Sequence, residues 1–165
     1  LRDGRNLNYV KTQIDGTIYH PFGPVVLAGR LHLGTIVGAE RGLIAPDRRF
    51  YAGGGGSVRG YGFQAVGPQA DDGTPTGGNS LTEVAIEARY RTRAFGADVG
   101  FVAFVDGGQV YQSTVPSFNS LKLGAGVGIR YYSSFGPIRV DIATPLNKGP
   151  RDPRIAFYVS IGQAF

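Results

Sequence analysis

Between Leu81 and Arg91 the chain changes chemistry at every step. Val84, Ile86, Ala88 and Tyr90 fall on one parity, and Glu83, Glu87, Arg89 and Arg91 fall on the other. A period of two means a β-strand, because successive side chains point to opposite faces of a sheet. One face here is dry and the other carries both signs of charge. The same period returns along the chain, and it restricts the fold to an all-β architecture with two chemically distinct faces.

A first strand, Tyr9 to Tyr19, sets Val10, Thr12, Ile14 and Ile18 against Lys11, Gln13, Asp15 and Thr17. His20 to Pro24 reads as a turn. A second strand, Val25 to Val37, has Leu27, Leu31, Leu33 and Val37 on one face and Arg30, His32 and Gly34 on the other. A long connection spans about 38–79, and its half from Pro68 to Asn79 reads as solvent loop. After the Leu81–Arg91 strand and a turn at Thr92 to Gly96, a fourth strand runs from Ala97 to Val105 or slightly beyond. It places Val99, Phe101, Ala103 and Val105 on the dry side and Asp98, Phe104 and Asp106 on the other. Leu121 to Tyr132 is the fifth strand. Ile138, Val140 and Ile142 mark the sixth. A terminal strand over about 154–165 carries Phe157, Val159, Ile161 and Phe165 on one parity.

The connections alternate short and long, as they do when one end of an antiparallel sheet carries tight turns and the other carries loops. Two architectures fit. In a soluble sandwich the dry face packs on a second sheet. In an outer-membrane barrel it meets lipid, and the polar face lines the lumen. No apolar run approaches the ~20 residues of a membrane-spanning helix, which leaves strands that cross a membrane fully open. The 27 glycines, spread along strand-like segments, suggest tightly curved sheet.

With no cysteine there is neither a disulfide framework nor a thiolate metal site, and His20 and His32 are too few for a histidine cluster. The net charge of +5 comes from singly scattered basic residues, a poor footprint for nucleic acid. No nucleophile–base pair or paired acid site is apparent, so neither an enzyme nor a cofactor is expected. The chain opens Leu-Arg-Asp without methionine or a visible signal peptide and reads as a piece of a longer one.

The long connection holds Gly53 to Gly56, then Val58-Arg59-Gly60-Tyr61 and Phe63. A flexible linker is one reading of the glycines. A phosphate loop is another, but no lysine follows the run, and neither this segment nor Gly124-Ala-Gly126-Val-Gly128 matches Gly-x-Gly-x-x-Gly. Val58, Tyr61 and Phe63 have no use for water, so this loop is expected to fold back onto the protein.

Several segments together resemble the C-terminal barrel half of the BamA/TamA outer-membrane insertase superfamily. They are Gly53–Tyr61, Phe104-Val105-Asp106-Gly107-Gly108, Gly124-x-Gly126-x-Gly128-x-Arg130, Gly136-Pro137-Ile138-Arg139-Val140-Asp141 and the strand ending at Phe165. Arg49 to Gly54 and Val127 to Pro137 most resemble the TamA (translocation and assembly module) branch. BamA-type general insertases and two-partner-secretion transporters are the alternatives.

The resemblance implies the last seven strands of a sixteen-stranded, antiparallel up-and-down transmembrane β-barrel, preceded elsewhere by periplasmic POTRA domains. It also implies a location in the Gram-negative outer membrane and a role in folding, inserting or translocating β-barrel or autotransporter clients through a lateral seam. Outer-membrane lipid, client polypeptides and a TamB-like inner-membrane partner would be its contacts. The long loop would enter the lumen, where Arg59, within Val58-Arg59-Gly60-Tyr61, would meet Asp106 first and Glu87 second. Phe157, Val159, Ile161, Gly162 and Phe165 would form the movable side of the seam, with Gly162 letting the end bend inward.

Overall fold

The computed structural model describes residues 8–94, 96–134 and 136–162, and Phe165 of the expected seam therefore lies outside the described residues. Its elements are β1 (Val10–Phe22), β2 (Val25–Val37), β3 (Ser80–Ala94), β4 (Ala97–Tyr111), β5 (Lys122–Ser133), β6 (Gly136–Pro145) and β7 (Ala156–Ile161). They form one seven-stranded sheet in chain order, every neighbouring pair antiparallel. The up-and-down all-β reading is what the molecule shows. Among the described residues no second sheet covers either face.

The tight turns all lie at one end, and several strands outrun their expected limits. His20, Pro21 and Phe22 belong to β1, whose turn is only Gly23 and Pro24. Pro21 sits next to the last residue of β1, beside the turn. Thr92 to Ala94 continue β3, pairing with Ala97 to Val99. Beyond Val105, β4 runs straight through Asp106, Gly107 and Gly108 to Tyr111. Among the described residues β7 runs from Ala156 to Ile161, and 163–165 of the expected terminal strand lie outside them.

Burial inverts the rule for a protein in water. Ile86, Phe101, Val127, Ile129, Val140, Ile142, Phe157, Val159 and Ile161 are exposed, while Arg59, Glu87, Asp106, Arg130, Arg139 and Asp141 are buried. The reason is the connection between β2 and β3, which lies across the polar face and seals it. That face is not polar throughout. At the loop end Ile36, Leu81 and Val110 share the parity of the charged residues, and they pack with Ile44, Phe50, Ala52, Val58, Tyr61 and Val66 in one apolar cluster. The charges of the inner wall thus give way to a small core where the loop enters.

Two loop expectations are corrected by the same packing. Gly77, Gly78 and Asn79 are buried, and Phe50 and Gly78 exchange backbone hydrogen bonds of 3.0 Å, so only 70–72 and Thr74 of the 68–79 half are exposed. Phe63 is 80% exposed and points away from the wall that buries Val58 and Tyr61. Its neighbour Gln64 has φ of +57°, a left-handed conformation that turns the chain back sharply at this point.

Candidate functional site

The loop descends to Arg59, where the inner faces of four strands converge. Gly53 and Gly54 take φ of +108° and +104°, and Gly60 takes +103°, so the tip follows a path closed to most side chains. Gly60 also presses against β6: a Cβ there would lie 2.9 Å from the Thr144 carbonyl carbon. Gly124 on β5 answers from the wall, since a Cβ on it would overlap the Arg59 carbonyl oxygen. Loop and wall touch backbone to backbone, which leaves the arginine side chain no route but inward.

Arg59 donates from Nε to Asp106 Oδ2 at 2.6 Å and from Nη2 to Asp106 Oδ1 at 2.8 Å, a two-pronged pair. Its backbone N–H donates to the same carboxylate at 3.1 Å. Nη2 also lies 2.7 Å from Glu87 Oε1, a close ion pair rather than an aligned hydrogen bond. Asp141 Oδ2 is 3.6 Å from Nη1. Beneath the guanidinium, 3.4 Å from its carbon, is the centre of the Phe104 ring, which adds a cation–π contact. Burial alone would lower the proton affinity of Arg59. The hydrogen bonds and charges of Asp106, then of Glu87, outweigh it and raise that affinity above the ordinary arginine value. The group is a permanent cation.

Around this pair the inner wall is a charged network. Asp141 receives Arg130 Nη1 at 2.6 Å and Arg139 Nη2 at 3.3 Å, and Glu87 receives Arg89 Nε at 2.7 Å. Tyr158 on β7 closes the site from the other side. Its hydroxyl accepts from the Gly60 N–H at 3.0 Å and donates to the Tyr61 carbonyl at 2.8 Å. The Tyr61 hydroxyl lies 2.7 Å from Asn147 Oδ1 and 3.0 Å from the Leu123 carbonyl. Higher on the wall, Ser57 donates to Glu83, whose other oxygen is 3.1 Å from His32 Nδ1. Every turn of the loop tip is therefore fastened to a different strand.

A family model described as the Omp85 superfamily domain matches residues 3–165 of the sequence. The chain belongs to the Omp85 superfamily. Outer membrane protein assembly factor BamA of Nitratidesulfovibrio vulgaris is 30% identical over 171 residues, covering 98% of this chain and 21% of that protein. Outer envelope protein 39 of the Arabidopsis thaliana chloroplast is 35% identical over 130 residues, 74% of this chain and 32% of that protein. In three dimensions the fold matches BamA from Haemophilus ducreyi lacking POTRA domains 1–3, with a TM-score of 0.75 at 20% identity. That match covers 94% of this chain and 35% of the other. The chain thus spans about a fifth to a third of the length of these relatives. It is an outer-membrane β-barrel segment of the Gram-negative kind.

Within this Omp85 chain the structure brings Val58, Arg59, Gly60, Tyr61, Glu87 and Asp106 into one site. The strand-end residues lie apart from it: Phe157, Val159 and Ile161 are 70%, 74% and 70% exposed on the outer face. Gly162 has φ of +104° and its N–H donates to the Pro137 carbonyl at 2.8 Å, so the chain turns there while still attached to β6. Sequence reasoning missed Asp141, Arg130, Arg139, Phe104 and Tyr158 as members of the site. One signal was present. The tight turn after Ser133 fixes the β5–β6 register and sets Arg130 directly opposite Arg139. Two arginines facing each other on an inner wall demand a carboxylate, and Asp141 is the neighbour that supplies it.

Proposed function

We propose that the chain forms the seam-bearing part of an outer-membrane protein assembly factor that inserts β-barrel clients and has no enzymatic activity. The observation that carries this reading is Arg59, locked by Asp106 and Glu87 at the bottom of a loop that also fastens to β7 through Tyr158. The loop ties the last described strand to the body of the wall. In a closed barrel the other edge of that strand would pair with a strand from another part of the protein, and parting the two would free it. A free strand edge is a template for a client strand, and backbone hydrogen bonds supply affinity without sequence selection. Gly162, where the chain turns with φ of +104°, would make this edge easy to part. Assembly factors named BamA among the relatives support the general activity. The finer reading is a TamA-type factor serving autotransporters with a TamB-like inner-membrane partner, and it rests on Arg49 to Gly54 and Val127 to Pro137.

The test is client assembly by the full-length protein in liposomes. Arg59→Ala should lower the yield of protease-resistant client about tenfold or more while the barrel stays folded. A disulfide joining a cysteine at Ile161 to the strand that meets β7 in the closed barrel should block assembly, and reduction should restore it. Full activity in the crosslinked protein would remove the seam from the mechanism. Defects confined to autotransporters would favour the TamA-type reading, and defects across all barrel clients would favour a general insertase.

A further inference from the structure

The connection from β4 to β5 lies over the outer face of the wall and not over the lumen. Tyr111 shares the outward parity of Phe101 and Val105, and its hydroxyl is 2.7 Å from the carbonyl oxygens of both Ser117 and Asn119. Thr35, on the outward parity of Leu27 and Leu31, donates its hydroxyl to the Thr114 carbonyl. These two pins flank Ser80 in the register, Thr35 on one side and Tyr111 on the other. Ser80 and Thr82 are wholly buried at this level, although Ile86 on the same face is 65% exposed. Phe118 in turn lines an outer groove of about 540 Å³ with Gly29, Leu31, Val84 and Ile86. β4 and β5 are interior strands, paired with β3 and β6 as well as with each other.

The chemistry of this segment differs from that of the other connections at the loop end. Between Asp106 and Lys122 no residue is charged. The connection from β2 to β3 carries Glu40, Arg41, Asp47 and Arg48 among others, and that from β6 to β7 carries Lys148, Arg151 and Asp152. Charge is costly in hydrocarbon, whereas aromatic rings with polar neighbours suit the boundary between acyl chains and headgroups. Here Gln112, Ser113, Thr114, Ser117 and Asn119 surround Val115 and Phe118, which are 70% and 60% exposed. The wall beneath marks the same boundary. On β3 the outward row changes from apolar Ile86 and Val84 to the hydroxyls of Thr82 and Ser80, which meet no hydrogen-bond partner among the described residues. Bare against acyl chains, those hydroxyls would be costly, and the loop screens them.

We propose that the β4–β5 loop is an interfacial anchor that lowers Val115 and Phe118 into the acyl chains of the leaflet on the loop side. The occupant is lipid because the two side chains join an outward face that already meets it, and because no charge on the segment opposes entry. The pinned carbonyls of Thr114, Ser117 and Asn119 hold the docked shape in advance, so little conformational freedom is lost on contact. The anchor fixes the height in the membrane of β4 and β5, the strands that present Asp106 and Gly124 to the Arg59 loop.

The test is spin-label accessibility in the full-length protein in liposomes, with single cysteines carrying a nitroxide. Val115→Cys and Phe118→Cys report on the loop, Ile86→Cys on the lipid-facing wall, and Asp72→Cys on an exposed position of the long loop. Labels at 115 and 118 should collide with oxygen in preference to a water-soluble nickel chelate, as the label at 86 does, while the label at 72 shows the reverse. Phe118→Ser, read by the label at 115, should shift the loop toward water about tenfold, the loss of one buried aromatic side chain. Accessibility at 115 and 118 matching that at 72 overturns the proposal. Shielding of both labels from oxygen and chelate alike overturns it too, because the loop then rests on protein. A label at 115 that stays equally deep in Phe118→Ser removes Phe118 as the anchor.

Discussion

Arg59 is a desolvated cation with two carboxylates in contact and a third nearby, and the arithmetic of such a group is lopsided. Removing either member of the pair leaves the other charged and buried, which costs about 3–5 kcal/mol, whereas the intact pair contributes much less than that. Arg59→Ala and Asp106→Ala should each release the loop. The double variant should be little worse than either, a non-additivity read in a double-mutant cycle on loop protection by hydrogen exchange. Strictly additive losses would show that the two residues act separately. Arg59→Lys should recover only part of the protection, because an ammonium cannot span both Asp106 oxygens and stacks less well on Phe104.

At the scale of elements, the wall and the loop are cut to each other by glycines. Gly124 is the sharpest case: Gly124→Ala would place a methyl on the Arg59 carbonyl oxygen. It should therefore loosen the loop tip while leaving β5 paired, and hydrogen exchange at Gly60 should rise without a matching rise along β5. Simultaneous loss of both would mean that the glycine serves the strand and not the loop. For β7, cysteines at Phe157, Val159 and Ile161 should react with a lipid-soluble reagent, and cysteines at Tyr158 and Ser160 should resist it. Equal reactivity along the strand would contradict the outward and inward faces.

The strands were legible in the sequence because the faces differ so plainly: Glu87 and Asp106 could be assigned to the polar side by parity alone. The reach of the loop was legible from Val58 and Tyr61, apolar residues placed among glycines. Phe63 was misread because apolarity says that a side chain avoids water, not which wall it finds. Asp141, Arg139 and Tyr158 were missed because they come from β6 and β7, and only the wrapping of the sheet around the loop brings them to Arg59. The apolar patch of Ile36, Leu81 and Val110 escaped for a related reason. It interrupts the polar face at the one level where the loop packs, and local periodicity carries no record of that level.

The whole molecule is turned inside out, with ion pairs at its centre and aliphatic side chains on its outer surface. Val127, 60% exposed near the middle of β5, belongs to that outer surface. Val127→Arg should destabilise the barrel in a bilayer by about 2–4 kcal/mol if it lies near the midplane, measured by urea unfolding in vesicles. A neutral result would remove lipid from that face.

The loop also dictates an order of events in time. Arg59 reaches Asp106 across 47 positions of chain, and Gly60 reaches Tyr158 across 98. Closing such long segments is entropically costly and slow compared with pairing adjacent strands through two-residue turns. The hairpins β1–β2, β3–β4 and β5–β6 can therefore form early, while the loop tip must wait, solvated and unfastened, until the last strand arrives. Docking of the tip is then the step that commits the chain, a lock that closes only behind a finished wall.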